Sequence, residues 1–193
     1  MPWATIFSRS SIVLDVCKER PIAWRDERDW RGQEDAWSWL SRQGSLTAHL
    51  RTLGDVEVEV LFEQLIRIGP HASVLGRNRE LNVWARDVVL RVDGRPAVVA
   101  RTLVEEFASK TSWREVKGLR QTPLATILYA DARVRRSDFQ YGFLGRSHRL
   151  YRLARRVDPR LGENRLWARR SVFERNRTKL AVAECFMPWV YGN

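Results

Sequence analysis

The sequence predicts one domain in which helices accompany strands paired as antiparallel hairpins, and three observations carry that expectation. The chain has 193 residues, 44% of them hydrophobic, enough for one well-buried core and short for two. Val56 to Glu63 alternates apolar and acidic residues almost throughout, the period-two pattern of a strand with one buried face. Two further stretches read as hairpins. Trp84 to Val92 runs into Asp93-Gly94 and returns as Ala97 to Leu103, while Leu166 to Phe173 turns near Asn176 and returns as Lys179 to Met187.

Each element has its own local reason. Met1 to Arg20 lacks the longer apolar core and small-residue cleavage site of a secretory signal. Glu34 to Leu40 reads as a helix with Trp37 and Leu40 on one face, closed by Gln43-Gly44. Ser45 is a good N-cap for a second helix that carries Leu46, Leu50 and Leu53 at i, i+4, i+7 and stops at Gly54. In the first strand Val56, Val58, Val60 and Phe62 are expected inward. Thr122-Pro123 has the form of a helix start, with Leu124, Ile127 and Leu128 following. Ser137 to Phe143 reads as a strand. Gly145 to Glu163 is densely basic, and its roughly three-residue arginine spacing predicts a helix or an excursion rather than a strand.

The composition bounds the function classes. Nine tryptophans argue against disorder, and no apolar run approaches the ~18 residues of a membrane-spanning helix. Cys17 and Cys185 lie at opposite ends without metal-ligand spacing, so the sequence predicts neither a metal site nor a disulfide framework and fits a reducing cytoplasm. The formal charge of +11 concentrates anions of any kind. It suits nucleic acid, an anionic membrane surface or a small polyanionic substrate, and equally a solvated basic surface.

Two charges stand where the pattern calls for apolar residues. In the strand from Trp84, the even positions read Trp84, Arg86, Val88, Leu90 and Val92, an apolar face with one guanidinium set into it. In the last strand Glu184 shares its parity with Leu180, Val182 and Phe186. A buried cation needs an anion, and a carboxylate on an apolar face either meets a cation or holds a proton near neutral pH. Arg86 and Glu184 therefore either pair with each other or flank a cavity, the arginine for an acid group and the glutamate for a hydroxyl or ether oxygen. With a two-residue loop at Asp93-Gly94, Arg86 would oppose Arg101; one extra residue would turn Arg101 to the other face. Leu46 and Leu124 sit in first turns of helices, where backbone N–H groups lack intrahelical partners. His49, His71 and His148 match no triad or metal spacing, and Ser45 and Ser171 have no evident general base.

Trp84-Ala85-Arg86-Asp87-Val88-Val89-Leu90-Arg91-Val92-Asp93-Gly94, Ala100-Arg101-Thr102, Gln121-Thr122-Pro123-Leu124, Leu166-Trp167-Ala168-Arg169-Arg170-Ser171 and Ala183-Glu184-Cys185-Phe186-Met187-Pro188 together cover most of the chain. In this order and spacing they resemble the chorismate pyruvate-lyase family, the bacterial 4-hydroxybenzoate synthases that begin ubiquinone biosynthesis. The resemblance implies an α+β fold, a central antiparallel β-sheet covered by helices, with an internal ligand site under helical flaps. It implies conversion of chorismate to 4-hydroxybenzoate and pyruvate with no metal or other cofactor. Carried over by motif, Arg86 would bind the ring carboxylate and Glu184 would hydrogen-bond the ring oxygen and act near the enolpyruvyl ether. Leu46 and Leu124 would supply backbone contacts, and Arg101 a second anion contact. Whether Glu184 donates a proton or only positions the substrate stays open at this point.

Residues 1–193 read as one such domain, with 1–33 an N-terminal extension and 143–165 a basic insertion. The final turn near Asn176 lacks the family's usual glycine. The insertion, through Arg146 to Arg156, could meet a membrane surface or a partner, or could be a solvated helix. A monomer in the cytoplasm, with no nucleic acid partner, is expected. The alternative is a non-catalytic sensor of the same fold binding an aromatic acid, since effector-binding domains of some bacterial transcription regulators resemble it. A nucleic-acid binder using the arginine-rich stretch is the other rival, and its binding would fall steeply with salt.

Overall fold

The computed structural model describes residues 23–26, 34–69, 74–76, 79–162 and 165–192. Helices α1 (Glu34–Leu40) and α2 (Leu46–Leu50) precede a long meander of β1 (Val56–Ile68), β2 (Leu81–Val92) and β3 (Arg95–Glu105). Helix α3 (Ala125–Leu128), β4 (Arg135–Arg136), β5 (Gln140–Leu144) and helix α4 (Arg149–Val157) follow, and the hairpin of β6 (Leu166–Arg175) and β7 (Thr178–Phe186) closes the sheet. Every strand pair is antiparallel, in the order β1-β2-β3-β7-β6-β4, with β5 pairing β6 beside β4. This is the expected α+β architecture of an antiparallel sheet with helical cover.

Several local expectations are refined. Ser45 does cap α2, its hydroxyl accepting from the Ala48 N–H at 3.2 Å, but the helix ends at Leu50 and Leu53 is exposed. Thr122 does not cap α3; Leu124 takes that position with helical backbone angles. The strand expected over 137–143 is interrupted, because Ser137 leaves the ladder and bonds Val172 through both its backbone and its hydroxyl. The chain before α1 also joins the sheet, Arg25 and Tyr141 exchanging backbone hydrogen bonds of 2.9 and 2.8 Å.

Two irregularities decide which side chains face which way. In the β1–β2 ladder Val60 pairs with Val88 but Phe62 with Asp87, so one extra residue is inserted into β1. Phe62 therefore leaves the face of Val58 and Val60, and Glu63 arrives opposite Arg86. Between β2 and β3, Val92 pairs with Arg95 and Arg91 with Pro96, after which the register slips and Leu90 pairs with Val98. Proline has no N–H for the ladder, and the break sits beside it. Arg86 consequently opposes Thr102, and Arg101 turns to the opposite face beside Asp87.

That back face holds its own charge cluster. Asp87, fully buried, lies 3.2 Å from Arg101 Nε and accepts from Arg149 Nε at 2.8 Å. Arg149 is the first residue of α4, so the bond docks the helix against β3 and β7 while Leu150, Tyr151, Leu153 and Ala154 bury its apolar side. Arg152 donates to the Ser147 carbonyl at 2.7 Å and Arg155 to those of Leu161 and Gly162. The basic segment thus uses much of its charge to fasten its own ends. Among the described residues no helix is long and apolar enough to cross a membrane.

The two hairpin turns differ in strain. Asp93-Gly94 and Asn176-Arg177 both take positive φ at both positions, the type I′ pattern, but Arg177 does so at φ 58° with a side chain. Arg177→Gly should raise stability by ~0.5–1 kcal/mol, read as a higher urea midpoint at unchanged slope. His148 gives a pH-dependent test: its Nδ1 caps α4 through the Leu150 N–H, and burial, aided by Arg101 and Arg152, lowers its pKa from 6.5 to about 4. The unfolded chain binds that proton before the folded one does, so this contribution to stability is intact above pH 6.5 and declines as pH falls toward 4. Urea titrations across that window should show the decline in the wild type and a flatter profile in His148→Asn.

Candidate functional site

Between the front face of the sheet and the α1–α2 and α3 segments lies a cavity of about 640 Å³, including its open mouth. Its floor is built from β2, β3, β7 and β6 through Arg86, Thr102, Glu184 and Arg169, and its roof from Leu46 and Leu124 at the starts of α2 and α3. The remaining lining is largely apolar, so the polar groups are few and their directions matter.

Arg86 has 1% of its surface exposed. Its Nε lies 3.7 Å from Glu63 Oε1, too far for a hydrogen bond but close enough for charge compensation. Its Nη2 donates to the Arg120 carbonyl at 2.6 Å and reaches that of Thr122 at 3.5 Å. Burial lowers the pKa of Arg86 from its ordinary value, and Glu63 works in the opposite direction. Neither Arg86 Nε nor Glu63 Oε1 has a hydrogen-bond partner, so the pair leaves the cation incompletely satisfied.

Glu184 is not the partner of Arg86. It faces Arg169 across the β6–β7 pair, and Arg169 Nε donates to its Oε2 at 2.5 Å. Arg169 is also 1% exposed; its Nη1 donates to the carbonyls of Leu40 at 3.0 Å and Arg42 at 2.9 Å, and its guanidinium lies over the Phe139 ring. Arg170 points the other way, bonding Gln140 and lying over Trp24. At the mouth, Tyr129 donates to the Gly44 carbonyl at 2.6 Å, and Arg136 bonds the Gln43 side-chain oxygen while lying 4.0 Å from the Phe139 ring. Burial raises the Tyr129 pKa, with Arg136, Glu184 and Arg169 all within electrostatic reach.

Of the residues expected at a site, the cavity therefore brings together Arg86, Glu184, Leu46 and Leu124. It does not include Arg101, whose guanidinium is on the back face against Asp87; the break beside Pro96 is the cause. Sequence reasoning missed Glu63, Arg169, Arg136 and Tyr129. Arg169 carried a usable signal, since it alternates with Trp167, Ser171 and Phe173 on one parity. Glu63 carried none, because an unbroken strand would have turned it away from Arg86.

A model of the family described as chorismate lyase matches residues 20–193. The chain belongs to the chorismate lyase family. Among its curated relatives, "Probable chorismate pyruvate-lyase" of Bordetella avium is 40% identical over 156 residues, 78% of this chain and 75% of its own. "Probable chorismate pyruvate-lyase 1" of Burkholderia pseudomallei is 36% identical over 151 residues, 78% and 81% of the two chains. Among solved structures, a GntR-family transcriptional regulator from Bacillus cereus superposes with a TM-score of 0.53 at 10% identity, over 72% of this chain and 95% of that one. The effector domain of PhnF from Mycobacterium smegmatis gives 0.51 at 14% identity, over 74% and 88%. At such identities the likeness is one of fold alone.

In this chorismate lyase chain the Arg169–Glu184 pair can be tested for its structural weight. Arg169→Met should destabilise the protein by ~3 kcal/mol, because it leaves a partly buried carboxylate and two carbonyls without their donor. Arg169→Met combined with Glu184→Leu should recover part of that loss, the remainder being the bonds to Leu40 and Arg42. Urea unfolding of the two variants and the wild type reads both quantities.

Proposed function

We propose that the protein is a chorismate pyruvate-lyase that eliminates pyruvate from chorismate to leave 4-hydroxybenzoate, at the start of ubiquinone synthesis. The observation that carries the reading is a buried arginine and a glutamate–arginine couple on the floor of one apolar cavity, in a chain of this family. In the reaction the bond between the ring and the enolpyruvyl oxygen breaks, and the neighbouring ring carbon that bears the hydroxyl gives up its hydrogen. The ring becomes aromatic, and the released enol gains a proton at its methylene carbon as pyruvate. Aromatisation drives the reaction, so the protein has to hold the reactive conformer and stabilise charge on the departing oxygen.

Arg86 receives the ring carboxylate, whose planar geometry suits a guanidinium and whose charge completes its partial compensation by Glu63. Glu184 stands two strands away along the order β2-β3-β7, at the ring hydroxyl and ether oxygen, with its carboxylate oriented by Arg169. The backbone N–H groups of Leu46 and Leu124, at the first turns of the roof helices, face polar atoms of the substrate. The net positive charge speeds capture of a dianion. On this reading the protein works as a cytoplasmic monomer on a small molecule, without nucleic acid. The commitments of Arg149, Arg152 and Arg155 within the fold support that choice over a nucleic-acid surface.

The second reading, a sensor of aromatic acids, is favoured by the likeness of the fold to regulator effector domains. Incubation of purified protein with chorismate separates the two: 4-hydroxybenzoate and pyruvate should form together in equal amounts. No product above the uncatalysed rate, with a benzoate still bound, would overturn the lyase reading in favour of the sensor. Glu184→Gln should lower kcat by ~10²-fold with KM little changed. Arg86→Lys should raise KM by ~10-fold or more through loss of the planar pair. Wild-type kinetics in both variants would mean the site is elsewhere.

A further inference from the structure

The cavity carries more positive charge than its assigned carboxylates use. Three arginines line it. Arg86 has Glu63 and Arg169 has Glu184, but among the described residues no carboxylate pairs with Arg136. Its contacts are neutral: the Gln43 side-chain oxygen, the Tyr129 hydroxyl and the face of Phe139. A cation on a cavity wall with neutral acceptors only is ready to exchange them for an anion.

Its position is as informative as its charge. Arg86 is on β2 and Arg136 on β4, at opposite ends of the run β2-β3-β7-β6-β4. Four strand spacings of ~4.8 Å separate their backbones by roughly 19 Å along a flat sheet, and two long side chains reaching inward leave space between them for one small dianion. Glu184 and Arg169 stand between the two ends, on β7 and β6.

We infer that Arg136 binds the second carboxylate of the substrate, the one carried on the enolpyruvyl ether, and so separates dianionic substrate from monoanionic product. The inference rests on the chorismate reading above. Substrate spans Arg86 and Arg136 across the Glu184–Arg169 couple. Once the ether bond is broken, the ring keeps its contacts with Arg86 and, through its hydroxyl, with Glu184 but makes none with Arg136, while pyruvate leaves from the mouth beside Tyr129 and Gln43. The same residue thereby favours substrate over product in the same cavity, and it need not touch the reacting bond.

A stable dianion tests this without turnover. 3-(Carboxymethoxy)-4-hydroxybenzoate keeps the ring carboxylate, hydroxyl and ether-linked carboxylate of the substrate on an aromatic ring, and 4-hydroxybenzoate lacks only the ether arm. Titrated by quenching of tryptophan fluorescence, Arg136→Gln should bind the dianion at least tenfold more weakly and 4-hydroxybenzoate within twofold of wild type, with Arg136→Lys recovering part of the loss. Gln43→Ala, which breaks the mouth contact but keeps the cation, should not reproduce that selective loss. The inference is overturned if Arg136→Gln leaves dianion binding unchanged, if it weakens both ligands equally, or if Gln43→Ala gives the same selectivity. Absence of chorismate turnover in the wild type would instead overturn the lyase reading, whichever way the two titrations fall.

Discussion

Two guanidinium groups set into the sheet organise this molecule, and each does so by the same means. One nitrogen of the arginine faces a carboxylate from a neighbouring strand, and another donates to backbone carbonyls of the covering segment. Arg86 pairs with Glu63 and holds the carbonyls of Arg120 and Thr122; Arg169 pairs with Glu184 and holds those of Leu40 and Arg42. The covering segments have little regular structure of their own, since α2 has five residues and α3 four. Helices that short are not stable by themselves. Their placement depends on what they are tied to, and the two arginines tie them to the sheet. Leu46 and Leu124 reach the cavity roof because the chain just before each is anchored this way.

The cost of burying such charges sets what each arginine has left to offer a ligand. A buried guanidinium without acceptors is strongly unfavourable, and a fully satisfied one has nothing left for a ligand. Arg169 is close to the second condition, with a short bond to Glu184 and two carbonyl acceptors. Arg86 stops short of it, because Glu63 remains 3.7 Å away with no hydrogen bond between them. The less satisfied cation is the one suited to receiving a ligand carboxylate, and the more satisfied one to orienting Glu184.

Face selection rests on two single-residue irregularities. The bulge after Val60 brings Glu63 to Arg86, and the slip beside Pro96 carries Arg101 away to Asp87. Without the second, two arginines would oppose each other on the cavity floor. With it, the back face gains the Asp87–Arg101–Arg149 cluster that seats α4. The architecture is shared with regulator domains at 10–14% identity, so the scaffold alone does not specify chemistry. In this chain the chemistry lies in which polar residues the front face carries.

The sequence by itself determined the strands and hairpins of the sheet, the helical segments around them, and the position of Arg86 and Glu184 on apolar faces. All of these are short-range facts, written in period-two alternation, turn residues and caps, together with motifs whose order identifies the family. Tertiary structure decided the partners. Glu63 could not be assigned to Arg86 from alternation, because a bulge inverts the parity beyond it, and the face of Arg101 stayed open between two registers until the slip beside Pro96 turned it to Asp87. The bond from Arg169 to Leu40 spans 129 residues, and Arg136 reaches the cavity only because β4 folds back against β6. Periodicity reports which way a side chain points while the ladder is regular; which charge it meets depends on register and on distant chain segments, and those are set only when the sheet closes.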